Sequence, residues 1–188
     1  MPPRPRASEE TILRITVELI AKHGVAGFNV DEVATTAGVS KPTIYRRWPS
    51  RARLIQAAFT YGERPALQPD TGSLRGDLRV LLQELVHAYN QPDHGRAYPA
   101  FLEAAARDPE LAALRQESMN KAFDAFRRVI LLATDRGELP ADVDVRMFAQ
   151  LLTSPFLCQR LISDAPVRED DIDPVIDAVI AAYSRVRT

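Results

Sequence analysis

Apolar positions recur at helical spacing along almost the whole chain, and β-branched residues never alternate with polar ones for long. Ser8, Glu9 and Glu10 supply a cap and an acidic first turn for a helix with Ile12, Ile15, Leu19 and Ile20 as its buried stripe; Gly24 stops it. Val30, Val33, Ala34 and Ala37 give a second helix a small inner face. Asn29 followed by Glu32 marks its start, and Gly38 sits where a left-handed end is needed. Ser40 caps a third helix, which tolerates Pro42 in its first turn and has Ile44 as its one large aliphatic. Phe28 is placed to pack beneath this pair. Ser50 opens a fourth helix with Leu54, Ile55, Ala58 and Phe59 inward.

Residues 64–73, with two prolines and a glycine, read as a linker. From Leu74 the helical pattern resumes through Leu78, Leu81, Leu82, Leu85, Val86 and Tyr89. Residues 90–95 read as a polar loop and 96–107 as a short helix carrying Tyr98, Phe101 and Leu102. Asp108, Pro109 and Glu110 then open a long helix that Gly137 ends; at about 1.5 Å per residue it spans roughly 42 Å. Asp142 or Asp144 begins a helix through Ile162, in which Pro155 predicts a kink. Residues 165–171 form a charged loop. Asp173 and Pro174 cap a last helix with Val175, Ile176, Val179, Ile180 and Tyr183 on one face. The pattern predicts an all-α chain in three parts: a helix-turn-helix domain over 1–50, a connecting helix and linker over 51–73, and a helical bundle over 74–188.

Composition sharpens this division. The net charge of −1 hides an asymmetry: residues 1–55 hold nine Lys/Arg against five Asp/Glu, and the remainder fifteen against twenty. A basic first third ahead of an acidic remainder suits a nucleic-acid module joined to something else. The basic start, Met1 to Ala7, could be an arm that touches phosphates or a frayed terminus. Cys158 is the single cysteine, which excludes a disulfide framework and reads as a small buried residue. No apolar run approaches a membrane span and the start has no signal-peptide core, so the expectation is a cytoplasmic protein without a membrane partner. Nucleophile-elbow, phosphate-loop and zinc-protease motifs are missing, and no cofactor is implied. Asp170, Asp171 and Asp173 could suggest a metal, but a solvated cap is the plainer reading.

The chemistry concentrates in residues 29–48. With Ile44 inward, Lys41, Thr43, Tyr45, Arg46 and Arg47 are left outside, a surface that a DNA major groove can receive. Asn29 or Val30 can offer a backbone N–H to phosphate, and Arg51 opens the next helix where an anion would offset its charge. The stretch AGVSKPTIYRRW resembles the helix-turn-helix of the TetR (tetracycline repressor) family, with Trp48 where that family usually has Phe. GSLRGDL and RGELPADVD are similar to pieces of actinobacterial-style TetR C-terminal domains.

That resemblance implies about nine helices and a homodimeric, ligand-responsive repressor of a palindromic double-stranded operator. It implies DNA contacts from Asn29, Val30, Ser40, Lys41, Pro42, Thr43, Tyr45, Arg46, Arg47 and Arg51. It also implies a ligand cavity in the bundle, for which Tyr98, Phe101, Met119, Phe123, Phe126, Leu151 and Phe156 are candidate walls. Gln83, His87, Gln150 and Gln159 are candidate polar anchors. Apolar walls favour a small, mostly hydrophobic molecule. Phe156, Arg160, Val175, Ile176, Val179, Ile180 and Tyr183 are the candidate dimer seam. A constitutive or architectural DNA-binding protein is the alternative; an α-helical enzyme or carrier is a third reading.

Overall fold

A computed structural model describes residues 8–60, 67–163 and 165–184, with residues 92–96 as backbone only. The expected arm at 1–7 and most of the junction between the fourth helix and the linker lie outside the described residues. Among the described residues there are nine α-helices and no strand: α1 (Glu9–Gly27), α2 (Val30–Ala37), α3 (Lys41–Arg47), α4 (Arg51–Thr60), α5 (Leu74–Asn90), α6 (Pro92–Ala105), α7 (Pro109–Asp135), α8 (Val145–Ile162) and α9 (Ile172–Ser184). The chain folds as two compact units, Met1–Glu63 with Pro92–Ser118, and Arg64–Gln91 with Met119–Thr188.

In the first unit α1 is central and packs against α2, α4 and α6. Its burial therefore extends beyond the expected stripe to Leu13, Thr16 and Val17; Thr16 donates its hydroxyl to the Ile12 carbonyl at 2.8 Å, so no polar group is stranded. Gly24 has φ 68° and ψ 170°, which breaks the helix before a final turn reaches Gly27. Phe59 of α4 stacks on Phe101 of α6 at 4.7 Å, and Leu111 and Leu114 of α7 complete this core. The polar loop expected at 90–95 is absent: only Gln91 separates α5 from α6, because Pro92 occupies the first position of a helix rather than punctuating a loop.

In the second unit α5, α8 and α9 pack on one another, and Phe126, Val129 and Ile130 of α7 join their core. The two family-like motifs meet here. Asp77, fully buried, accepts from the Thr71 backbone N–H at 2.6 Å and the Thr71 hydroxyl at 2.8 Å, and Arg136 reaches it at 3.2 Å. Glu138 accepts from the Leu74 N–H at 2.7 Å and also holds Arg136. These two carboxylates keep the Arg136 guanidinium charged beyond even its ordinary range, Glu138 contributing most. Gly76 is required at this corner, since a Cβ would overlap the Thr71 hydroxyl. Asn90 pairs through both ends of its amide with the backbone of Val167, fixing the segment between α8 and α9. A 3-10 turn at Glu169–Asp171 leads into α9, so the last helix starts at Ile172, a residue before the expected cap.

Candidate nucleic-acid interface

α2 and α3 begin and end as their sequences require. Asn29 accepts the Asp31 N–H at 2.9 Å, and Ser40 accepts the Thr43 N–H at 3.3 Å while exchanging a 2.8 Å hydrogen bond with the Thr43 hydroxyl. Between the helices Gly38 adopts φ 68° and ψ 29°, a left-handed turn where a Cβ would be strained; its N–H returns to the carbonyls of Ala34 and Thr35. Ile44 and Val33 are fully buried and Trp48 nearly so, locking α3 onto the unit beneath. What remains outward on α3 is Lys41, Pro42, Tyr45, Arg46 and Arg47, with Thr43 half-buried; Tyr45 is 36% exposed.

Two of the three cations on this helix already hold a carboxylate. Lys41 donates to Asp31 at 2.9 Å, and that hydrogen bond, more than the charge attraction, holds the ammonium above its ordinary pKa. Arg47 pairs with Glu9 and lies 5.9 Å above the Trp48 ring. Arg46 pairs with no carboxylate among the described residues.

The structure separates the expected DNA residues by role. The Val30 side chain is core, leaving only its backbone outward-capable. Arg51, expected at phosphate, instead donates to the carbonyls of Val25 and Phe28 and lies 5.4 Å over the Phe28 ring. Carbonyls at the kinked end of α1 supply the negative charge that the start of α4 lacks.

The expected cavity residues divide between the two units. Tyr98 and Phe101 belong to the first unit's core. Phe126 and Phe156 are buried in the second unit's core and Phe123 packs on it, while Met119 and Leu151 are about half exposed. Gln159 gives its amide to Asp171 at 2.7 Å and accepts from the Arg168 N–H, and Gln150 faces outward. Gln83 and His87 do come together, on an open cleft of ≈ 310 Å³ shared with Leu67, Val80, Glu84 and Glu169.

The expected seam residues lie largely within the second unit's own packing. Phe156 and Ile176 are fully buried and Val179 nearly so, while Val175, Ile180 and Tyr183 pack on the same internal core. Burial, and next Asp144, raise the Tyr183 pKa from 10.0; this hydroxyl therefore costs no stability below that value and weakens the fold as pH climbs above it. Cys158, expected inside, is exposed. It lies on an exposed face of α8, outside the expected seam, with Met147, Leu151, Leu161 and Ile162. Their spacing of three, four and seven was visible as a second apolar face on a helix already hydrophobic elsewhere. Among the acids at the start of α9, Asp173 is held by Arg75 and Arg79, and Asp171 by Gln159.

A capped helix pair presenting a cationic, polar helix over a tight aliphatic core defines a helix-turn-helix DNA-binding module. Residues 12–58 match the model for bacterial regulatory proteins of the tetR family, and residues 68–179 match the tetracyclin repressor-like C-terminal domain. The chain is 35% identical over 181 residues to the HTH-type transcriptional regulator Rv1556 of Mycobacterium tuberculosis, covering 95% of this chain and 89% of that one. It is 29% identical over 177 residues to a DNA-binding transcriptional repressor TetR of Mycobacteroides abscessus, covering 93% and 92%. The crystal structure of the TetR family regulator SCO0332 superposes with a TM-score of 0.70 at 28% identity, covering 92% of this chain and 96% of that one. The chain belongs to the TetR family: it is a DNA-binding transcriptional regulator and not an enzyme. Among the described residues no helix is long and apolar enough to cross a membrane.

Proposed function

We propose that the protein is a homodimeric repressor, acting in the cytoplasm, that binds a palindromic operator and leaves it when a small molecule binds. The observation that carries this reading is the exposed face of α3, where Thr43, Tyr45 and Arg46 stand over the buried Ile44 with both helix ends capped. These side chains, with Pro42, read the major groove. Lys41 and Arg47 serve phosphates, and the backbone N–H groups of Asn29, Val30 and Ser40 add contacts at helix starts. The repressor named among its relatives supports the direction of control.

The effector is an amphipathic molecule with a hydrophobic body and a cationic or donor-rich end. Leu67 and Val80 give the cleft its apolar wall, and Gln83, His87, Glu84 and Glu169 give it acceptors and negative charge. Such a molecule releases DNA only if it binds one spacing of the two recognition helices better than another; about 1–3 kcal/mol of coupling weakens operator binding 5- to 150-fold.

The test begins with selection from a random duplex library. An inverted repeat with half-sites about 34–36 Å apart is expected, and Tyr45→Ala should cost about 1–3 kcal/mol on that duplex. Selected duplexes without symmetric halves, or full affinity in Tyr45→Ala, would remove the dimeric major-groove reading. Amphipathic amines that raise the melting temperature are then titrated into the complex; hits that leave duplex affinity unchanged would remove the effector role.

A further inference from the structure

The positions of the α3 cations around the helix carry an inference about how tightly the protein holds DNA of arbitrary sequence, one that rests on the reading of this face as the DNA interface. At 100° per residue, and with Ile44 pointing straight inward, Pro42 and Arg46 point outward and Thr43 and Tyr45 flank them. Lys41 and Arg47 fall at the two margins, one on each side of Ile44. Each margin meets a different neighbouring helix, and each neighbour offers a carboxylate: Asp31 of α2 at 2.9 Å from Lys41, and Glu9 of α1 at Arg47. Both acids lie in the first turn of their helices, where the helix dipole also favours negative charge.

These pairs are poor structural ties. Lys41 is 44% and Asp31 58% exposed, and Arg47 and Glu9 are similarly open, so each contributes little to folding. The helices they connect are already joined by Val33, Ile44 and Trp48 in the core. What the pairs do govern is the charge that a duplex meets. A phosphate that takes Lys41 or Arg47 must displace a carboxylate already in place, and that carboxylate then stands beside the phosphate and repels it.

We propose that Asp31 and Glu9 are exchangeable internal counter-ions, holding Lys41 and Arg47 until correctly placed phosphates displace them. Binding without sequence preference is nearly all phosphate contact, so the exchange weighs most heavily there. At the operator, base contacts from Arg46 and Tyr45 fix the register, and the phosphates fall where displacement is complete. The two acids therefore lower loose binding more than operator binding, and raise the ratio between them.

The experiment compares wild-type protein with Asp31→Asn, Glu9→Gln and the double variant on a scrambled duplex and on the selected one, across a salt series. Each single change should raise affinity for scrambled duplex about two- to fivefold, the worth of one exposed ion pair. Each freed cation should steepen the slope of log affinity against log salt by about 0.9. The gain on the selected duplex should be smaller. Unchanged affinity and slope, with or without a lower melting temperature, would overturn the proposal and leave the pairs as structural contacts only. Wild-type protein that binds neither duplex would overturn the DNA reading of this face along with it, whereas wild-type binding with unaltered variants would overturn the counter-ion role alone.

Discussion

Arg51 illustrates how one side chain's partner decides its role. Its two acceptors are backbone carbonyls of Val25 and Phe28, residues that carry no charge and lie more than twenty positions earlier. Charge patterning in the sequence could not reveal them, and a cation opening a helix pointed outward to phosphate instead. Arg51→Ala removes a charged donor from two part-buried carbonyls and a cation from the Phe28 ring, so it should lower unfolding free energy by about 1–3 kcal/mol. A denaturant titration checks this, and the salt slope of duplex binding should stay as it was. Unchanged stability with a slope flatter by about one would return Arg51 to the phosphates. Asp77 carries the same lesson. GSLRGDL and RGELPADVD were legible as family-like stretches, but their physical content lay in their meeting, through Thr71, Asp77, Arg136 and Glu138, which neither stretch contains alone.

At the scale of elements, periodicity located the helices well because most carry a strong stripe and their own caps. It erred at 90–95, where Pro92 and a polar neighbourhood mimic a loop while Pro at a helix start is equally favourable. It could not say which core a stripe would enter: Phe101 and Phe126 look alike in sequence, yet one packs on Phe59 and the other among α5 and α8 residues. α9 poses the question of what holds a helix in place. Arg75 and Arg79 of α5 reach Asp173 and Asp177, a network of exposed charges. Ile176 on the same helix is fully buried. Exposed pairs contribute about 0.2–1 kcal/mol and fade with salt, whereas truncating a buried Ile costs about 2–5 kcal/mol. Ile176→Ala should therefore lower stability several times more than Arg75→Ala, and only the Arg75→Ala effect should shrink in 1 M salt. Equal losses in melting experiments would mean that the ion network, not the core, seats α9.

For the whole molecule the decisive surface is the one a single chain leaves uncovered. Along α8, Met147, Leu151, Leu161 and Ile162 are 48%, 44%, 45% and 80% exposed, and Cys158 shares their face. α9, packed against α8, leaves Ala178, Ala181 and Ala182 outward, small enough for another helix to approach closely. In the proposed homodimer a second copy offers the same stripe in return, as a two-fold axis requires. Covering what each half-exposed side chain leaves open is worth about half of the 1.5–3 kcal/mol of full burial. The fully buried Ile176, by contrast, cannot take part without unfolding its own chain. Leu151→Glu combined with Ile162→Glu should then leave the helical signal and melting temperature nearly unchanged, since both positions are already wet. The same double variant should sediment as a monomer. Because one recognition helix would have to hold half an operator alone, affinity for the selected duplex should fall about 10²-fold or more. Ile176→Glu should instead abolish folding, through an unpaired carboxylate in the core. A Leu151→Glu, Ile162→Glu protein that still sediments as a dimer and keeps full operator affinity would place the seam on another surface, and the exposed stripe of α8 would need a different partner.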